Sequence, residues 1–219
     1  MKVLLCGVRE DEKETLNRVS KSMGIEPTYF GPNLNSSNLD AVKGFDLIAV
    51  TAGSQLNREN LTVLAGMGVR FIASRSIGFD NVDLEACKEL GIKFSNAPYS
   101  PHSVADYTVL LMLMLTRRMR EILRRGAVQA YGYDGFQGRE LNSLTVGVVG
   151  TGRIGRTVIE DLSGFGPKIL GYDLYPNDAL RDKVEYVSLE ELLARADIVT
   201  LHAPLQESSY HMILSLIPI

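Results

Sequence analysis

LTVGVVGTGRIGRTVIEDLSGFGPKILGYD, residues 144–173, decides the fold. An apolar run at 145–149 stops at Gly150, glycines recur at Gly152 and Gly155, an amphipathic stretch follows, and a second apolar run ends on Asp173. Strand, G-x-G-x-x-G turn, helix and strand in that order are the opening βαβ unit of a dinucleotide-binding sheet. Gly150 permits the tight turn, Gly152 lets backbone approach a pyrophosphate, and Gly155 lets helix and strand pack closely, while the helix N-terminus offers free N–H groups to an anion. Asp173 follows Gly155 by 18 residues, where an acid accepts hydrogen bonds from the adenosine ribose hydroxyls. Its charge opposes the 2′-phosphate of NADP, so NAD is the expected cofactor. In a chain with 20 glycines a purely structural turn is the plain alternative, and the flanking strands and the acid weigh against it.

On either side of this unit short apolar runs alternate with amphipathic stretches. Residues 2–8, 28–30, 46–51, 69–74 and 93–95 read as strands, and 145–149, 168–172 and 197–201 as a second series. Helices between them end at Gly24, Gly44 and Gly91. Strands separated by helices mean parallel sheets. Pro98 and Pro101 interrupt the pattern, so the expected domains are 1–99 and 100–219. A long helix from about 102 to 125, capped by Ser100 or Ser103, opens the second domain, and the Gly-rich, aromatic stretch 126–142 reads as a loop. Apolar residues cover that helix all round at 109–115, which predicts burial on every side.

Composition excludes several classes. Twenty-three Lys and Arg against 26 Asp and Glu leave a net charge of −3, with no basic field for nucleic acid or anionic lipid. The segment 109–115 falls far short of the roughly 20 residues that span a bilayer, so no membrane partner is expected. Cys6 and Cys87 form no CxxC motif and read as buried free thiols in a reducing cytoplasm, and the N-terminal apolar run is too short for a signal peptide. No His, Cys, Asp or Glu group has metal-ligand spacing. Glu121 lies within helical reach of Arg117, Arg118, Arg124 and Arg125, so that basic run reads as a solvated, ion-paired helix end.

Four stretches carry a family resemblance: RSIGFDNVDLEACKELGI (75–92), NAPYSPHSVADYTVLLMLMLTR (96–117), the glycine unit through Asp173, and DIVTLHAPL (197–205). Together they resemble the D-isomer-specific 2-hydroxyacid dehydrogenases, and within them the D-lactate dehydrogenases, including the vancomycin-resistance type. The resemblance implies a flavodoxin-like N-terminal substrate domain, then an incomplete Rossmann NAD-binding domain, with reaction in a cleft between them. It implies backbone at Ser76, Ile77 and Gly78 on the substrate carboxylate and Tyr99 beside the acid's side chain. It places Arg153 and Ile154 over the pyrophosphate, Ala203, Pro204 and Ser209 along the adenosine, and Thr108 near the nicotinamide. The plain alternatives are a turn after a strand for Ser76 and Gly78, and core packing for Thr108.

Hydride transfer to a 2-oxo acid needs a cation on the carboxylate, an acid/base and a carboxylate to tune it. The resemblance places the family's Arg, Glu and His beyond Ile219, so no catalytic residue is assigned here, and the tail 212–219 departs from the family pattern. None of His102, His202 and His211 fits a general base. Three functions follow from the resemblance: an NAD-dependent D-2-hydroxyacid dehydrogenase acting on a small 2-oxo acid such as pyruvate, a truncated inactive relative keeping partial NAD binding, or a non-enzymatic NAD sensor. A complete chain is expected to be a homodimer through the 102–125 helix. With three strands of order 3-2-1-4-5-6 encoded, 145–149 is expected at the sheet edge, leaving the chain unstable.

Overall fold

The computed structural model describes residues 2–132, 134–205 and 209–213, and the chain divides into two units, Met1–Tyr99 and Ser100–Ile219. The first holds β1 (Val3–Cys6), α1 (Glu10–Ser22), β2 (Pro27–Phe30), β3 (Leu47–Val50), α2 (Arg58–Gly66), β4 (Phe71–Ser74), α3 (Leu84–Glu89) and β5 (Lys93–Asn96). Its strands are all parallel, in the order β2-β1-β3-β4-β5. That is the flavodoxin-like arrangement.

β1 is buried on both faces, as a central parallel strand must be. Leu4 and Cys6 join Ile48, Val50, Leu61 and Leu64 under α2 and α3, while Val3 and Leu5 meet Ala49 and Leu16 under α1. Between β2 and β3 the helix expected to end at Gly44 is only a 3-10 turn, Leu39–Val42. Asn35 and Asn38 side chains accept the N–H groups of Ser37 and Asn35, at 2.9 Å each, and so compete with helical pairing.

The second unit opens with α4 (His102–Thr116) and α5 (Met119–Gly126), then β6 (Thr145–Val149), α6 (Arg153–Leu162), β7 (Lys168–Tyr172), β8 (Glu185–Tyr186), α7 (Leu189–Arg195) and β9 (Ile198–Leu201). Its parallel sheet runs β8-β7-β6-β9, the first four positions of the Rossmann order 3-2-1-4. β6 is therefore central and not an edge, which corrects the sequence expectation. The run at 197–201 occupies position four, and position three is the two-residue β8. The edges of the described sheet are β8 and β9, and on β9 Val199 and Leu201 are exposed. α4 and α6 pack on one face through Val109, Met112, Val158, Ile159 and Leu162. Leu189 and Leu192 of α7 cover Val149 and Leu170 on the other.

The single long helix expected over 102–125 is broken. Arg118 sits in the left-handed region at φ 53°, because the carbonyl of Thr116 turns to accept the N–H of Arg139 and the Arg118 guanidinium donates to the Gly135 carbonyl. Its N-cap is Pro101, and Ser100 Oγ accepts the His102 N–H at 3.4 Å. Among the described residues Glu121 forms no ion pair. Arg118 and Arg125 instead stand over the Phe136 ring at 5.5 and 4.3 Å. Nor is α4 buried all round: Ala105, Val109 and Met112 are buried, while Leu110, Leu111 and Leu115 are exposed, Leu115 at 72%. No helix of the described residues is long and apolar enough to cross a membrane.

Candidate functional site

The site in the second unit forms where the sheet order reverses, at the carboxyl ends of neighbouring β6 and β9. Gly150 takes φ 88°, and a Cβ there would lie 2.7 Å from the Ala203 nitrogen, so the loops after the two strands nearly touch. Only glycine combines that backbone with that approach. Gly155 faces inward in the same way: its Cβ would lie 2.0 Å from the Gly150 carbonyl oxygen, which is how α6 comes to rest on β6. Gly152 is the opposite case, with nothing within 4 Å of an added Cβ. It caps α6, and among the described residues the N–H groups of Gly152, Arg153 and Ile154 donate to no protein acceptor. Open space above unpaired N–H groups at a helix start is a cradle for an anion.

Beside the cradle lies a cavity of about 270 Å³ walled by Gly150, Gly152, Asp173, Ala203, Pro204 and Ser209. Ser209 Oγ donates to the Pro204 carbonyl at 2.7 Å and closes the far wall. Asp173 follows β7 directly. Its Oδ2 accepts the Thr151 N–H at 2.6 Å and the Thr151 hydroxyl at 3.1 Å, and its Oδ1 accepts the Tyr175 N–H at 2.9 Å. The residues present fit a dinucleotide's adenosine and pyrophosphate: a cavity, a carboxylate acceptor on its wall and, among the described residues, free N–H groups beside it.

Six of the expected cofactor residues thus surround one cavity, and four do not line it. Arg153 starts α6, Ile154 packs toward the α4 side of the sheet, and Gly155 is the contact point with β6. Thr108 engages its hydroxyl within α4, donating to the Val104 carbonyl at 2.8 Å. Sequence reasoning missed Tyr172, Leu174, Tyr175 and Met212 as further walls. Met212 packs toward the Val149–Leu170–Leu192 cluster, and residues 214–219 of the tail expected to depart from the family lie outside the described residues. His202 also lines the cavity; burial holds its imidazole below the usual range, and Nε2 meets Thr200 Oγ1 at 3.0 Å.

In the first unit Ser76, Ile77 and Gly78 turn away from the end of β4. Ser76 Oγ lies 2.7 Å from Ser74 Oγ and donates to the Gly78 carbonyl at 3.0 Å, and Asn96 Nδ2 donates to the Ile77 carbonyl at 2.8 Å. Among the described residues the N–H groups of Ile77 and Gly78 carry no hydrogen bond. Tyr99 is 45% exposed at the end of the unit. The turn is held from below by Arg75, whose guanidinium donates to the Cys6 and Gly7 carbonyls at 2.9 and 3.0 Å and pairs with Glu12.

Residues 109–215 match the family description "D-isomer specific 2-hydroxyacid dehydrogenase, NAD binding domain". An aromatic 2-oxoacid reductase of Clostridium sporogenes is 42% identical over 219 residues, covering 97% of this chain and 65% of the relative. The apo-structure of D-lactate dehydrogenase from Escherichia coli superposes with a TM-score of 0.85 at 33% identity, over 97% of this chain and 69% of that one. D-lactate dehydrogenase from Aquifex aeolicus, solved with NAD and lactic acid, gives a TM-score of 0.86 at 34% identity, over 97% and 63%. The chain spans 65% of the length of the Clostridium relative.

Proposed function

Because the chain belongs to the D-isomer-specific 2-hydroxyacid dehydrogenase family, we propose that its second unit holds NAD and that the whole protein moves a hydride between NADH and a small 2-oxo acid such as pyruvate. The observation that carries this reading is one cavity with Asp173 and Gly152 on its wall, beside the N–H groups of Gly152, Arg153 and Ile154 that, among the described residues, donate to no protein acceptor. The nicotinamide, when bound, supplies the hydride chemistry. Gly152, Arg153 and Ile154 bind the pyrophosphate by their N–H groups, with Gly150 and Gly155 shaping the turn. Asp173 takes the ribose, Ala203, Pro204 and Ser209 hold the adenosine, and Thr108 stands near the nicotinamide. In the first unit the free N–H groups of Ile77 and Gly78 bind the substrate carboxylate beside Ser76, and Tyr99 borders its side chain.

No residue of this chain is assigned the proton transfer. His202 is engaged by Thr200 and His211 stacks on Tyr210 at 3.9 Å, which favours a second reading, nucleotide binding without turnover by this stretch of chain. We further propose a homodimer through the exposed apolar residues Leu110, Leu111 and Leu115 of α4, and a reducing cytoplasmic setting, in keeping with the buried free thiols Cys6 and Cys87. NADH titration followed by fluorescence tests the site: Asp173→Ala should weaken binding, and equal affinity in both proteins refutes the ribose assignment. NADH oxidation with pyruvate and with phenylpyruvate, an aromatic 2-oxo acid of the kind named for the Clostridium relative, separates turnover from binding alone.

A further inference from the structure

The Asp173 carboxylate does not stand alone. Thr151 is 3% exposed, and Tyr186 of β8 reaches across β7 to place its hydroxyl 3.0 Å from Thr151 Oγ1. The same Tyr186 oxygen accepts the Asn177 N–H at 3.1 Å. The phenol crosses β7 at Gly171, where an added Cβ would lie 3.2 Å from the ring and 2.5 Å from Val184. Asn177, Tyr186, Thr151 and Asp173 are thereby joined in one chain of hydrogen bonds.

The direction of that chain has a consequence. With the Asn177 N–H already donated into Tyr186, the phenol proton goes to Thr151, the Asn177 carbonyl being a poor second acceptor at 3.5 Å. Thr151 receives a proton on its oxygen and so must point its own at Asp173 Oδ2. That oxygen, taking both Thr151 donors, has its two in-plane positions filled, and Oδ1, taking only the Tyr175 N–H, keeps one open. Successive donors in one direction strengthen each other. Outer groups that orient an inner ligand commonly set its affinity.

Resting on the NAD reading above, we propose that Tyr186, acting through Thr151, is a positioning residue that fixes the Asp173 carboxylate with Oδ1 presented to the adenosine ribose, and so sets the preference for NAD over NADP. Tyr186→Phe removes one oxygen and keeps the ring packing. Affinity for NADH, measured by fluorescence titration of the chain, should fall roughly three- to tenfold, the range for one net hydrogen bond, and the ratio of NADPH to NADH dissociation constants should narrow. Thr151→Val should reproduce the loss, and Thr151→Ser, which keeps the hydroxyl, should restore near-native affinity. In an Asp173→Ala background Tyr186→Phe should add nothing. A wild type that fails to bind NADH, or an Asp173→Ala that binds it equally well, overturns the nucleotide reading and this proposal with it. If Asp173→Ala weakens binding while Tyr186→Phe and Thr151→Val do not, or if Tyr186→Phe still weakens it without Asp173, the positioning role alone is wrong.

Discussion

Gly152 and Gly155 lie three residues apart at the start of α6, and the structure predicts opposite failures when each becomes alanine. At Gly155 the new methyl would lie 2.0 Å from the Gly150 carbonyl oxygen and 3.1 Å from its carbon. Both are backbone atoms that no side-chain rotation relieves, and the 2.0 Å approach to the oxygen is more than 1 Å inside the ordinary contact range of 3.4–4 Å. Alanine recovers about 1 kcal/mol of helix propensity. Overpacking of this kind costs about 1–3 kcal/mol, and the rigid neighbour puts this site at the upper end, for a net loss of about 2 kcal/mol. At about 2–4 °C per kcal/mol for a chain of this size, Tm should fall roughly 4–8 °C. At Gly152 the methyl meets nothing, and the backbone there already suits any residue. Weaker capping costs under about 1 kcal/mol, so the fold survives, while the methyl fills the space above the free N–H groups and NADH affinity drops at least tenfold. A thermal melt beside NADH titration reads both effects. The packing argument fails if Gly155→Ala melts with wild type, and the cradle argument fails if Gly152→Ala binds NADH normally.

The Thr145 N–H and the Arg139 guanidinium hold the Asp197 carboxyl below its usual range. A depressed carboxylate adds stability above its unfolded value of about 3.9 and loses it as pH falls through the folded value. The urea midpoint should therefore drop as pH falls below about 4, and Asp197→Asn should flatten that slope; parallel slopes would show that the carboxylate is not stabilising. Phe136→Leu removes the ring under Arg118 and Arg125 and should speed tryptic cleavage after Arg125, with an unchanged cleavage rate counting against the ring as the loop's anchor.

Much of this was legible from the chain, for identifiable reasons. Strands buried on both faces, such as VLLC at β1 and TVGVV at β6, read as apolar runs because parallel sheets have no solvent face. The glycine turn was readable because each glycine answers a local steric demand. What escaped depends on distant partners. β8 is two residues long, Glu185 and Tyr186, with no periodicity to detect, and missing it moved β6 to the edge in the sequence reading. The break at Arg118 comes from a loop returning some twenty residues later to take the Thr116 carbonyl. Tyr186 meets Thr151 across 35 residues, a contact that no spacing rule announces.

The central position of β6 also sets a timetable. In a nascent chain Thr145 must wait for Lys168 on one side and for Asp197, 52 residues on, for the other. At roughly 5–20 residues per second of synthesis, the second wait lasts roughly 3–10 s. Through those seconds Val146 and Val148, fully buried at the end, stand beside an unfilled row of amides. β1 is in much the same position: Val3 pairs first with Pro27 and only later, on its other side, with Leu47. Each unit thus passes through synthesis with its middle strand paired on one side only, and residues 145–149, the longer of the two waits, are an open edge onto which another extended chain can add until β9 arrives.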